Sequence, residues 1–586
     1  MPLDTRQSPI INCHTHIFTG DHIPPWLAKT YLPWPVYYLV STRMIIWLFR
    51  MYYSREWSPY RLQFLPWYKR WLGFKNRLWR IIHETRLSTI LYWITTGWVG
   101  LMTIYLLEDW FSTWWEPSGY VPDALNQVRI WLDDHQFVWF PQKNMFRILW
   151  IVVVLGFFKS VRNLVFSVSG FIWNFLRTLP GKETKAMVER YILLGRFAFY
   201  QDQSKIFDKM SKQYPPGSQF VVLPMDMAYM QAGQTKEDYH DQLAKLLKLK
   251  QSAIFGNQVL PFVFIDPRRI TDEPDFLQYQ INRHRVKLND CKVKTYFENW
   301  QFTGIKIYPA LGYYPFDERL LPIWKYAADH QIPIMTHCIR GTIYYRGKKD
   351  KAWDYHPVFE QSMGEGNYEK LALFEQKNID FSVNFTHPLN YLCLLEERLL
   401  RKVVAQAQDD RIRQLFGYRD LDTPLETNLK NLKICFGHFG GDDEWNRFLE
   451  SDRYSYAQQL VNYPDQGVLF LDNHDNEEER PGKIEQLWQH CDWYTLICSM
   501  MLQFPNVYAD ISYIVHNPLI QPLLIETIQE HHPKWRNRVL FGTDFYVVRN
   551  HKSEKNILIE LQAALGPHLF DLIARENPKS YLMTSK

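Results

Sequence analysis

Two histidines one residue apart, His14 and His16, end an apolar run that starts at Ile10 and Ile11, and Gly20-Asp21 breaks the chain soon after. In an extended segment the side chains at i and i+2 point the same way, so both imidazoles can reach one cation from the end of a strand. The same layout returns downstream, each time an apolar run that closes on a residue able to bind a metal or carry a proton. His337 lies near the end of 332–338, His438 closes 432–438, Asp544 closes 538–544 and Lys306 sits within 303–309. Asp226, Asp266 and Asp510 end further runs. One strand-end histidine is usually a packed, hydrogen-bonded residue, but four of them with an aspartate in this repeated position point to a shared centre. Imidazole nitrogen and carboxylate oxygen suit zinc and similar ions, and catalytic sites keep one position for water.

These residues need a scaffold that collects strand ends. Counting 10–16, the runs at 220–226, 258–268, 303–309, 332–338, 432–438, 506–513 and 538–544 make eight, with helical or long connections between them. Helical stretches are expected at 236–251 and 320–330. Short apolar strands alternating with helices predict a parallel sheet covered on both faces. Eight such strands close an α/β (β/α)8 barrel, whose active sites sit at the carboxyl rim. Residues 380–386 also look strand-like, with His387-Pro388 opening a helix over 389–407. The polar stretches 408–430 and 464–486 are expected to be surface loops.

Composition narrows the class. Hydrophobic residues are 46% of the 586 and charged residues 22%, which describes a folded chain. The net charge of +5 is too small to argue for a nucleic-acid partner. The seven cysteines are scattered without a CxxC pair, as in a reduced compartment. The polar start at residues 1–9 does not resemble a signal peptide, so a cytoplasmic location is expected. Phosphate-binding loops, dinucleotide-binding glycine turns and Gly-x-Ser-x-Gly elbows are missing from the sequence.

Residues 21–218 differ in texture. Between Arg43 and Arg86 there are ten Lys or Arg against Glu56 and Glu84, and the 21 residues 87–107 then carry no charge. That is long enough to cross a bilayer. Shorter apolar pieces follow at 148–158 and 164–176. The 23 tryptophans of the chain suit large cores, aromatic pockets and membrane interfaces alike. Two readings stand: a bundle of aromatic-rich helices packed internally, or a peripheral or re-entrant membrane contact through 31–180 at the inner face. If His14 and His16 join a site built beyond residue 300, the chain must return to the side it left. A single crossing at 87–107 is therefore excluded.

Five pieces carry a family resemblance: Cys13-His14-Thr15-His16, Gly304-Ile305-Lys306-Ile307-Tyr308-Pro309, Met335-Thr336-His337, Phe436-Gly437-His438-Phe439-Gly440-Gly441 and Phe541-Gly542-Thr543-Asp544. In order and approximate spacing the chain resembles the metal-dependent amidohydrolase superfamily, and within it the branch of aminocarboxymuconate-semialdehyde decarboxylase. The resemblance covers 1–20 and 219–586, which implies a barrel domain there and leaves 21–218 as a mainly helical insertion acting as lid or membrane-associated region. It implies that His14, His16, His337 and Asp544 bind one divalent metal, zinc before manganese. Asp544 and His438 would be the catalytic acid–base groups. A second metal bridged by a carboxylated Lys306, with His438 nearby, is the lesser option; an unmodified Lys306 could bind a substrate carboxylate. Arg340, three residues past His337, and His387 are candidates for holding the substrate, while Asp510 and Tyr513 are weaker pocket candidates. The expected activity is hydrolysis of an ester, lactone, amide or related bond in a small, hydrophobic substrate. The alternatives are non-oxidative decarboxylation of a carboxylated ring or unsaturated acid, and an inactive membrane-associated ligand-binding protein. A homodimer is a further partner option.

Overall fold

The computed structural model describes residues 8–29, 36–39, 41–53, 66–112, 123–137, 144–157, 200, 202–341, 343–374, 381–450, 454–471, 481–530 and 532–583. It divides into two compact units, one formed by 1–50 with 189–586 and the other by 51–188.

In the first unit the eight expected runs are all parallel strands of one sheet. They are β1 (Ile11–Thr15), β2 (Gln219–Val222), β3 (Val259–Phe264), β6 (Gly304–Ile307), β7 (Ile334–His337), β10 (Ile434–Gly437), β11 (Val507–Asp510) and β12 (Val539–Leu540). Two antiparallel hairpins interrupt the numbering, β4 (Tyr279–Asn282) with β5 (Arg285–Leu288), and β8 (Tyr355–Gly364) with β9 (Asn367–Ala372). The sheet closes on itself: Thr15 bridges Phe545, the Cys13 N–H donates to the Phe541 carbonyl at 2.9 Å, and the Asp544 N–H donates to the His14 carbonyl at 2.9 Å. The chain is thus a (β/α)8 barrel with a large helical, aromatic-rich insertion after its first strand.

Strand alternation decides what fills the barrel and what covers it. Ile305, Ile307, Ile334, Phe436, Val507 and Val539 face outward into a continuous core shared with the surrounding helices. Ile11, Cys13, Val221, Phe262, Met335, Cys435, Tyr508 and Leu540 form a separate inner cluster. Two residues beyond an inward residue the chain points inward again. Met335 therefore leads to His337, Tyr508 to Asp510, Cys435 to Gly437 and Leu540 to Gly542, so the next layer up is polar or vacant of side chain.

Three expectations are corrected. Ser382–Thr386 is helical, although 380–386 looks strand-like in sequence, because a segment this short fits either state. The helix expected over 389–407 is broken into Pro388–Tyr391, Leu392–Leu395 and Glu397–Gln406. Within the stretches expected to be loops, Asp410–Phe416 and Pro481–His490 are helices. The helix Gln203–Ser211 packs on the barrel through Ile206, Phe207 and Met210, with Phe207 edge-on to Phe220.

The second unit contains the helices Pro66–Ile82, Arg86–Ser112, Asp123–Asp134 and Asn144–Phe157. Trp150 Nε1 donates to Thr103 Oγ1 at 3.2 Å, and Met102, Tyr105, Leu106 and Val154 are buried. The apolar piece 164–176 lies outside the described residues.

Candidate metal centre

Strict alternation on β1 would put His14 and His16 on the face opposite Ile11 and Cys13. The register against β2 slips here, since Asn12 pairs with Phe220 but Thr15 with Val222. Such a bulge adds one residue and re-aims the side chains beyond it. It turns the two histidines toward the residues gathered at the rim. Space for His14 comes from two glycines in the inward layer. A Cβ on Gly542 would lie 2.9 Å from His14 Cβ, and one on Gly437 would lie 3.0 Å from His14 Cε1.

His14 is wholly buried and its two nitrogens are in unlike positions. Nδ1 lies 2.9 Å from Asp510 Oδ2 and 3.1 Å from Ser512 Oγ. Nε2 is buried with no hydrogen-bond partner among the described residues. Burial first, then the charges on Lys306 and His16, hold the His14 pKa well below the usual imidazole range. The ring is therefore neutral, with Nδ1–H given to Asp510 and a bare Nε2 lone pair. A buried acceptor left this way costs about 1–3 kcal/mol unless something occupies it.

At His16, Nδ1 donates to the Leu223 carbonyl at 2.8 Å, and Nε2 lies 3.3 Å from Asp544 Oδ1. Two ligands about 2.0–2.1 Å from one ion at a tetrahedral angle stand about 3.3 Å apart, so this spacing suits shared coordination. His14, His16 and Asp544 form one compact group able to hold a cation, and His14, His438 and Asp510 form another. The second group is already satisfied by its own hydrogen bonds: Asp510 accepts from His14 Nδ1, the His438 N–H at 3.1 Å and the Ser512 N–H at 2.9 Å. The unpartnered His14 nitrogen makes the first group the better fit for a divalent ion.

The remaining sequence candidates fall in three places. His438 Nε2 lies 3.0 Å from His337 Nδ1, and His438 Nδ1 lies 2.9 Å from Ser512 Oγ; His337 stacks on Tyr308 with ring centres 3.9 Å apart. Burial, then His14, push His438 down to about 3. Lys306 is buried in the same layer with no hydrogen-bond partner for Nζ among the described residues. Burial lowers its ammonium to about 8, against the opposing pull of Asp510 and Asp544. Arg340 and His387 line a separate cavity of about 260 Å³ with Arg447, Trp488 and Trp493. His387 stacks on Trp488 at 3.9 Å, and Trp493 packs against Gly440, two residues past His438. Tyr513, like His438 and Asp544, has a positive φ, a conformation that non-glycine residues hold at some cost and that gathers at functional sites.

Asp510 is far more central than its sequence position suggests, and Asn12 and Ser512 drew no attention at all. Asn12 Nδ2 donates to Tyr214 and to Thr543 Oγ1, both at 2.8 Å, and Asn12 Oδ1 accepts from the His14 N–H at 3.1 Å. Thr543 and Tyr214 both donate onward to the buried Glu554. This network fixes the backbone on which His14 and Asp544 are carried. The one sequence signal for Asp510 is its place near the carboxyl end of the apolar run 506–513.

Fold and site together define a (β/α)8-barrel protein with a candidate divalent-metal centre at the carboxyl rim. No protein-family model matches the chain, and no curated protein does. Among solved structures it is similar to an amidohydrolase from Mycobacterium avium subsp. paratuberculosis K-10, with 13% identity and a TM-score of 0.29 over 66% of this chain and 75% of that one.

Proposed function

We propose that the chain is a metal-dependent hydrolase of the amidohydrolase type, cleaving an ester, lactone, amide or related bond in a small substrate. The observation that carries this reading is the buried, unpartnered Nε2 of His14 beside His16 and Asp544. His14, His16 and Asp544 would hold one divalent ion, zinc in the first instance, with His337 bordering them through His438. Such an ion acidifies water and polarises a substrate carbonyl.

The protein's own groups account for the proton traffic. Asp544 presents a carboxylate at the rim that can take a proton from the attacking water. His438 is neutral at physiological pH. If its Nδ1–H faces Ser512, whose carbonyl lies 3.3 Å away, then Nε2 accepts from His337 Nδ1–H and His337 Nε2 becomes the basic nitrogen. The histidine pair can thus take up the proton that Asp544 receives and hand it on to a leaving group. Lys306, charged below about pH 8, offsets negative charge that develops in its layer.

Arg340, about half exposed on a cavity lined by two tryptophans, favours a substrate that carries an anionic group on an apolar body. That same feature keeps decarboxylation as the second reading, since a held carboxylate is what it requires. The test is to load the purified protein with zinc or manganese and assay ester, lactone and amide hydrolysis alongside carbon dioxide release. Chelator-sensitive hydrolysis supports the first reading and chelator-sensitive carbon dioxide release the second. A loaded protein inactive in every assay counts against both.

A further inference from the structure

We propose that the second unit embeds the helix Arg86–Ser112 in a lipid bilayer, with the helix Pro66–Ile82 lying on its anionic headgroups. The first observation is exposure. Between Arg86 and Leu106 only Met102, Tyr105 and Leu106 are buried, and Leu87, Ile90, Leu91, Trp93, Ile94, Trp98 and Ile104 are all exposed. Soluble proteins seldom leave an apolar surface of this extent uncovered. Residues 87–107 carry no charge on any face, whereas a helix that docks on a protein partner keeps a polar side for water. Its 21 residues span about 31 Å, the thickness of a bilayer's hydrocarbon core.

The polar atoms of this helix point to the same solvent. Thr95 donates its hydroxyl to the Leu91 carbonyl at 2.9 Å, Thr103 to Val99 at 2.7 Å and Thr89 to Thr85 at 2.9 Å. These three hydroxyls are satisfied by backbone carbonyls one turn back, as hydrocarbon surroundings demand. At the amino end Thr85 and Ser88 cap each other, the Ser88 N–H donating to Thr85 Oγ1 at 3.1 Å. Trp79, His83 and Tyr92 cluster at this junction, with Trp79 edge-on to Tyr92 at 5.4 Å, an aromatic grouping suited to a membrane interface.

Charge identifies the lipid. The helix Pro66–Ile82 has Lys69, Arg70, Lys75, Arg77 and Arg80 and no acid, while Trp67, Phe74, Trp79 and Ile81 are exposed beside them. Basic and aromatic residues mixed on an exposed helix fit an anionic interface. The barrel adds a constraint on topology. β1 and β2 are hydrogen-bonded neighbours, so the chain that leaves after Thr15 returns to the same place by Gln219. Any crossing made by Arg86–Ser112 is therefore reversed before Gln219.

Flotation of the full-length, zinc-loaded protein with vesicles tests this. The probes are vesicles of phosphatidylcholine alone and of phosphatidylcholine with phosphatidylglycerol, each also prepared with brominated acyl chains. We expect flotation with the anionic vesicles and quenching of tryptophan fluorescence by the brominated chains. The double substitution W93E/I94E, at two exposed positions, should abolish quenching. Replacing the five basic residues of Pro66–Ile82 by glutamine should lower partitioning onto anionic vesicles at least tenfold. Unchanged zinc content shows that each variant has kept its barrel. Failure to float, equal partitioning of the variants, or a soluble oligomer that protects the helix without lipid would overturn the proposal. None of these outcomes depends on hydrolase activity.

Discussion

His14 Nδ1 stands 2.9 Å from Asp510 Oδ2, and neither side chain is exposed at all. The carboxylate fixes which imidazole nitrogen carries the proton and aims the other at His16 and Asp544. Partners of this kind typically control metal affinity by about 10–100-fold. Asp510→Asn should therefore weaken zinc binding by about that factor while the barrel stays folded. Competition with a chromogenic chelator measures it, and an unchanged affinity would place the metal elsewhere.

Gly542 should tolerate no side chain. Alanine there would press on His14 Cβ and also stand 3.1 Å from Ser512 Cβ. Overpacking of this sort costs about 1–3 kcal/mol. For Gly542→Ala we expect a lower melting temperature together with lost zinc. Normal zinc content in that variant would show that His14 has room to move.

Lys306 separates one-metal from two-metal chemistry. With one ion on His14, His16 and Asp544, Lys306→Met keeps one zinc per chain but loses turnover. The intact mass of the native protein then shows an unmodified lysine. A carbamate mass, or a fall from two metals to one or none in the variant, would reverse this assignment.

Glu554 should make stability fall between about pH 4.5 and 7. Burial, against the hydrogen bonds from Tyr214 and Thr543, raises its carboxyl from 4.5 to about 7. The folded chain then holds a proton that the unfolded chain has released across that window, so unfolding gains as pH rises. The effect amounts to about 3 kcal/mol once both limits are passed. Denaturant titrations of Glu554→Gln should show a flatter slope there than the native protein. Parallel curves would exclude Glu554 as the source.

Arg340 should act on binding rather than on chemistry. It is about half exposed, 3.9 Å from Glu444, and borders the cavity shared with His387. Arg340→Ala is expected to raise KM at least about tenfold for an anionic substrate, with kcat within about twofold, as loss of uniform binding predicts. Equal effects on an uncharged ester would remove the anion from the account.

Much of this architecture could be read from the chain because it rests on local pattern. All eight barrel strands announced themselves as short apolar runs, and His14, His16, Lys306, His337, His438 and Asp544 were visible within or at the ends of those runs. What could not be read depends on a partner strand or on neighbours hundreds of residues away. The slip between Asn12 and Thr15 exists only relative to β2. The need for glycine at 437 and 542 appears only once His14 occupies the space beside them. Asp510 looked like one more polar strand end until three donors converged on it. The strand expected over 380–386 is a helix at Ser382–Thr386 because a segment of that length satisfies a helix as readily as a strand.

The seam where β12 meets β1 also sets a clock. His14 and Asp544 are 530 positions apart in the chain, and at about 5–20 residues per second a ribosome needs roughly half a minute to two minutes to deliver the second after the first. Throughout that time the amino-terminal histidines have been made but their carboxylate has not. A metal held as proposed above would thus find its full ligand set only after Asp544 is made, and a polypeptide that terminates before Asp544 would lack that carboxylate.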